Sequence, residues 1–197
     1  MNWRYLSYEA IVIGVSAGGL FALSGILDEL PVDFPLPVVV VQHRSKEERT
    51  LLEDVLQSKC KIKVKQADEK EKIERGVVYI APAGYHLLIE KDHSFSLSCD
   101  APVNFSRPSI DVLFETAAEA YEDKLIGVIL TGANRDGAAG IQAIKRKGGI
   151  TVAQDPANAL FPNMPRAAID TGCVKYIFEL REVKDFLLDI GKTDLHE

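Results

Sequence analysis

"IVIGVSAGGLFAL", residues 11–23, is an apolar, β-branched run that breaks at a glycine-rich turn holding one serine and then resumes as a second apolar segment. A buried strand, a tight turn and a helix in that order open a βαβ unit. Two chemistries use such a turn. A glycine-rich loop cradles a nucleotide phosphate, whereas a strand-to-helix turn spelling G-x-S-x-G lifts a serine hydroxyl into solvent. A third reading makes Ser16 no more than the cap of the helix that follows.

The pattern continues outward along the chain. Apolar strands are predicted at residues 9–15, 38–42 ("VVVVQ"), 77–82 ("VVYIAP"), 124–131 ("KLIGVILT") and 149–155 ("GITVAQD"). Helical periodicity separates them at 18–30, 45–56, 110–121, 137–148, about 164–171 and 181–190, with Ser109 as the cap of the helix at 110. "CVKYIFE" reads as one more strand. "CKIKVKQA" (60–67) sets Ile62 and Val64 against lysines, as an edge strand does. The charge run "DEKEKIERG" reads as a solvated loop, and "HLLIEKDHSFSLS" (86–98) as a β-hairpin. The predicted fold is α/β: a doubly wound, mainly parallel sheet with helices on both faces and an antiparallel hairpin at one edge.

Composition narrows the function classes. The 197 residues are 47% hydrophobic and 26% charged, ordinary for a globular chain that builds its core without staples. No linker or internal repeat interrupts them, so residues 1–197 are expected to form a single domain. A net charge of −6 disfavours nucleic acid, which requires clustered Lys and Arg. Cys60, Cys99 and Cys173 are widely spaced and form no CxxC pair, so no metal site and no disulfide framework are expected. No signal peptide and no apolar run of about 18 residues is present, which predicts a cytoplasmic protein with no membrane insertion.

The phosphate-loop reading fails twice. The dinucleotide fingerprint places glycines where this chain has Gly14, Ser16 and Gly19, so the middle glycine is missing. The second strand then ends in "VVVVQH", which offers His43 and no carboxylate for a ribose. A nucleotide cofactor is not expected.

The nucleophile reading needs a base and an orienting acid. His43 follows the second strand, and Asp136 lies in "LTGANRDGAAG" after the strand at 124–131. Loops at the carboxyl ends of parallel strands line one crevice, so Ser16, His43 and Asp136 would converge there. Taken singly, Asp136 is equally well a cap for the helix beginning at Gly137, and His43 a plain strand end. Three such residues at one sheet edge favour the relay. His86, at the start of a hairpin strand, is second choice as base; His93 reads as a turn residue and His196 as part of a tail. An α/β-hydrolase would run serine, acid, histidine, so this order marks a different scaffold.

With these residues in place the chain resembles the chemotaxis protein-glutamate methylesterases, the CheB family. The resemblance spans about Tyr8 to Leu188 and rests on "IVIGVSAGG", "VVVVQH", "ERGVVYIAPAGYHL", "RPSIDVLFETAA", "GVILTGANRDGAAG" and "AQDPANALFPNMPRAAI". It implies Ser16 as nucleophile, His43 as general base and Asp136 as the orienting carboxylate. It implies, too, that Ala17, Gly18, Ala133 and Asn134 shape the oxyanion site. The implied reaction is hydrolysis of glutamate γ-methyl esters on cytoplasmic helices of chemoreceptors, with glutamine deamidation in some members. The implied partners are those methylated receptors and a separate receiver or other chemotaxis protein; the family's usual receiver domain is not expected within these residues, so that it belongs to a longer protein, acts in trans or plays no part. Family members commonly read "LTGMG" where this chain has Ala133 and Asn134, and frequently have Thr where it has Ala17. The alternatives are a silent member acting as a binding module, and a hydrolase of a different ester.

Overall fold

The computed structural model describes residues 8–44 and 52–193. Its strands are β1 (Ala10–Val15), β2 (Val38–Gln42), β3 (Lys63–Gln66), β4 (Val77–Ile80), β5 (His86–Ile89), β6 (Phe95–Ser98), β7 (Leu125–Ile129), β8 (Ile150–Gln154) and β9 (Tyr176–Phe178). The helices are α1 (Gly19–Leu27), α2 (Leu52–Gln57), α3 (Ile110–Tyr121), α4 (Ala138–Arg146), α5 (Asn163–Asp170) and α6 (Leu180–Thr193). Seven strands make one sheet in the order β3-β4-β2-β1-β7-β8-β9, and all of its pairings are parallel.

Period-two alternation sorts the strand side chains onto two faces. Ile11, Ile13 and Val15 of β1 enter a core with Leu23 and Ile26 of α1, Leu56 of α2 and Leu187 of α6. Ala10 and Val12 enter the opposite core, built with Phe114 of α3, Ile141 of α4 and Ala168 of α5. Every β1 side chain is therefore buried, as in a parallel sheet covered on both faces. The apolar run at 11–15 reads as continuous for this reason.

Strand β1 is central. The chain winds from it to β2, out to the edge at β3 and back to β4 on one side, then crosses to β7, β8 and β9 on the other. That reversal opens a crevice beyond the carboxyl ends of β1 and β7, the switch point where α/β sheets place their ligands.

Three expectations are refined. The hairpin β5–β6 is its own two-stranded sheet, not an added edge of the large one. Leu87, Ile89 and Phe95 bury its inner face in the core shared with α3, and the Ile89 amide donates to Thr116 Oγ1 on that helix at 3.2 Å. The helix expected over 45–56 is seen as α2, and residues 45–51 lie outside the described residues. Ser109 is the N-cap residue of α3 by position, yet its side chain makes no cap hydrogen bond. The edge position of β3 agrees with its lysine-bearing pattern; Lys65 there pairs with Glu71 at 2.6 Å.

Candidate active site

Ser16 and His43 sit one step past the ends of neighbouring strands. The Ser16 amide donates to Thr131 O at 3.0 Å and the His43 amide to Val15 O at 3.0 Å, so the ladder itself sets both residues at the crevice. Gly18 then takes a left-handed φ of 78°, which turns the chain into α1. A side chain there would be strained by the backbone and would press on Leu160. No side chain caps α1, so Ser16 is not the helix cap that its position allowed. Among the described residues its hydroxyl has no hydrogen-bond partner, and it lines a cavity of about 620 Å³ together with His43, Gln42, Leu20 and Phe21.

His43 Nε2 meets Asp136 Oδ2 at 2.7 Å. Asp136 is fully buried. Besides His43 its carboxylate accepts from Asn104 Nδ2 (3.1 Å), Ser109 Oγ (2.9 Å), the Ile110 amide (2.7 Å) and the Asp111 amide (3.1 Å). The last two amides open α3, so Asp136 caps that helix from 25 and 26 residues away. The alternative in which it caps the helix after Gly137 does not hold, because the first-turn amide of Gly140 in α4 donates to Asp111 instead. Burial works against ionising Asp136, but the bond from His43, the Ile110 amide, the His43 charge and the Asn104 amide outweigh it and hold the carboxyl at about 2.

The ring orientation follows from this contact. A carboxylate on Nε2 leaves the proton there and puts the lone pair of a neutral imidazole on Nδ1. Asn134 Nδ2 approaches Nδ1 at 3.3 Å and Ser106 Oγ at 3.5 Å. In the serine protease arrangement the aspartate meets Nδ1 and the serine meets Nε2, so the imidazole here is reversed.

Gln42, overlooked in the sequence, ties the two ends together. Its Nε2 donates to Ser16 O at 2.9 Å and to His43 O at 3.0 Å. The amide lies flat against Gly19, where a Cβ would overlap its oxygen. The only signal was its place immediately before His43.

Of the four residues expected to shape the oxyanion site, Ala17 and Gly18 follow Ser16 in the turn. Their amides have no acceptor among the described residues, whereas the Gly19 amide is spent on Ser16 O at 2.9 Å. Asn134 lies on His43 and also accepts the Asp136 amide through Oδ1 at 3.1 Å. Ala133 is exposed, and its carbonyl accepts Asn163 Nδ2 at 3.2 Å. The other histidines stand apart. His86 is buried, with Nδ1 accepting the Ser109 amide at 3.2 Å and Nε2 donating to Ala101 O at 3.1 Å. His93 occupies the hairpin turn at φ 58° and stacks on Tyr121. His196 lies outside the described residues. Arg107 is spent on the carbonyls of Cys99 and Asp100. No metal-binding cluster occurs among the described residues.

Asp111, in the first turn of α3, is buried beside Asp136. It accepts the Gly140 amide at 2.8 Å and shares Asn104 Nδ2 with Asp136. Burial raises its carboxyl to about 6 against the Gly140 bond, and the Asp136 charge adds to the rise. A raised acid stabilises the fold below its unfolded value near 4 and loses that contribution as pH rises through about 6. Asp111→Asn is therefore expected to flatten a fall of about 2–3 kcal/mol in unfolding free energy between pH 4 and 7. Urea unfolding across that range checks it; parallel wild-type and variant curves would refute it.

A reversed imidazole–carboxylate pair at the switch point of a doubly wound parallel sheet defines the domain of an α/β enzyme. The chain belongs to the CheB methylesterase family, whose model matches residues 11–187. A relative from Leptospira interrogans is 53% identical over 192 residues, covering 98% of this chain and 100% of its own. The protein-glutamate methylesterase/protein-glutamine glutaminase of Archaeoglobus fulgidus is 38% identical over 188 residues; the chain spans about half of it, 54%. The crystal structure of the Thermotoga maritima CheB methylesterase catalytic domain superposes with a TM-score of 0.89 at 34% identity, covering 94% of this chain and 100% of that one.

Proposed function

We propose that residues 1–197 act as one catalytic domain that hydrolyses glutamate γ-methyl esters on the cytoplasmic helices of chemoreceptors. Ser16 is the nucleophile, His43 the general base and Asp136 the orienting carboxylate. The observation that carries this reading is the 2.7 Å contact of His43 with a fully buried Asp136 at the switch point that also holds Ser16.

In the acylation step His43 Nδ1 takes the Ser16 proton as Oγ bonds to the ester carbonyl carbon. Asn134 Nδ2 gives way to the serine hydroxyl at Nδ1 on substrate binding, as catalytic hydrogen bonds tighten in the complex. The carbonyl oxygen, now negative, lies at the free amides of Ala17 and Gly18, beside the amino terminus of α1. Collapse breaks the C–O bond to the methoxy group, and the imidazolium returns the proton so that methanol departs. Water then adds to the glutamyl-enzyme with His43 again as base, and glutamate and free Ser16 are regenerated. On a glutamine side chain the same acyl intermediate forms with ammonia leaving, a reaction consistent with the protein-glutamine glutaminase in the name of the Archaeoglobus relative.

The test combines fluorophosphonate labelling with methanol release from a peptide carrying one glutamate γ-methyl ester. A label on Ser16 that disappears in Ser16→Ala, together with methanol release, is expected. A chain that takes no label and releases no methanol removes the proposal.

A further inference from the structure

The lip of the crevice holds a phenylalanine that the fold does not use. Residues 103–106 form a two-residue hairpin: the Val103 amide donates to Ser106 O at 3.1 Å and the Ser106 amide to Val103 O at 2.9 Å. Its central residues Asn104 and Phe105 both have left-handed φ, 50° and 61°. Positive φ at both positions marks a type I′ turn, which favours Asn-Gly. The second position here is phenylalanine, fully exposed. The residue is thus unfavourable twice over, in its backbone and in the apolar ring it offers to water. Nothing within the described fold offsets either term.

Its place supplies the reason. Asn104 bonds Asp136, and Ser106 lies 3.5 Å from His43 Nδ1, so the turn that carries the ring is anchored beside the relay. Elsewhere along the crevice further apolar side chains are open to water. Phe21, 69% exposed, shares the cavity of Ser16 and His43. Leu160, 62% exposed, packs at Gly18 and shares a second cavity with Phe21. Apolar groups this exposed around one crevice mark a contact surface. The neighbouring charge is positive although the chain as a whole is at −6. Arg135, next to Asp136, is exposed and has no ion-pair partner among the described residues, and Lys59 lines the far wall of the cavity.

We propose that Phe105, on the turn beside the relay, with Phe21 and Leu160 along the crevice, is a docking clamp for the polypeptide that carries the ester. It grips apolar side chains flanking the glutamate, on a segment whose other neighbours are acidic. The clamp deepens the methylesterase reading and rests on it. Its turn adjoins the relay to which a protein side chain must be presented, and the basic groups of Arg135 and Lys59 complement an acidic segment better than a second copy of this acidic chain.

The test is Phe105→Gly in the full chain, since glycine suits the turn. The first readouts are thermal unfolding, p-nitrophenyl acetate hydrolysis, methanol release from an acidic peptide with one glutamate γ-methyl ester flanked by leucines, and release from the same peptide with alanines. The variant is expected to unfold at the same or a higher temperature and to hydrolyse p-nitrophenyl acetate at the wild-type rate. It should lose about 10-fold in kcat/KM on the leucine peptide, as loss of one aromatic anchor does, and with it the preference for leucine over alanine. An unchanged kcat/KM on the leucine peptide overturns the clamp, and so does an equal loss on both esters, which would place Phe105 in the relay. Binding of the unesterified leucine peptide, read by fluorescence anisotropy, separates the two proposals. If neither peptide is hydrolysed but binding weakens in the variant, the clamp stands and the methylesterase reading falls; binding equal in both proteins overturns the clamp. A wild-type dimer that dissociates in the variant assigns the surface to a second copy and overturns it too.

Discussion

Asp136→Asn is expected to lower ester turnover by about 10⁴-fold, the cost of a wrongly oriented imidazole in serine relays, and to destabilise the fold in the same step. The two losses have one origin. The buried carboxylate accepts from His43, Asn104, Ser109 and the amides of Ile110 and Asp111. An amide in its place turns one acceptor into a donor aimed at donors, leaving buried N–H groups at the start of α3 unpaired. Because the bonds from His43 and Ile110 overcome burial and hold the carboxyl at about 2, it contributes about 2 kcal/mol at neutral pH. A lowered acid stabilises above its unfolded value near 4 and loses that contribution as pH falls toward 2. The gap between wild type and Asp136→Asn in unfolding free energy should thus be widest near pH 7 and close below pH 4. His43→Ala separates the roles. It should be as inactive as Asp136→Asn but retain the α3 bonds and most of the stability. Equal destabilisation by both variants would show that the carboxylate does no work at α3.

This double use of Asp136 marks the boundary of what the sequence discloses. Strand β1, the glycine turn and α1 were legible because apolar runs, glycine and helical period are local signals, and the G-x-S-x-G turn lies wholly within them. His43 and Asp136 were legible as candidates because a parallel sheet sends all its carboxyl-end loops to one crevice. What Asp136 bonds to was hidden. Its amides belong to a helix 25 and 26 residues earlier, and Ser109, a natural cap by type and place, turns away from α3 to reach it. Which imidazole nitrogen meets the carboxylate is fixed by ring placement and leaves no trace in spacing. The hairpin was readable from its alternation, but not that it packs on α3 instead of joining the large sheet. Phe105 escaped notice because its turn departs from the Asn-Gly preference by which such turns are recognised.

The remaining bridge in the site leads to the second large effect. Gln42→Met is expected to reduce kcat about 10²-fold, as small misplacements of reacting groups do, with KM for a small ester nearly unchanged. Methionine matches the length and unbranched shape of glutamine, so the cavity wall is kept while both donated bonds disappear. Those bonds join Ser16 O and His43 O through a single nitrogen, at 2.9 and 3.0 Å. The Ser16 turn and the His43 strand end are thus fixed against each other. Strand pairing aligns the residues before them, through the Ile13–Val40 to Val15–Gln42 register, but beyond β2 the side-chain amide continues the connection. Gly19 belongs to the same device, since only an absent side chain lets the amide lie against the turn. Without it, the Ser16 turn and His43 keep their own hydrogen bonds to Thr131 O and Val15 O, so the fold should lose no more than about 1–3 kcal/mol, the range for buried polar groups left unpaired. The discriminating readout is the rate of fluorophosphonate labelling at Ser16, which should fall in parallel with kcat while the melting temperature moves by a few degrees. A variant that melts lower but labels at the wild-type rate would reduce Gln42 to a structural brace.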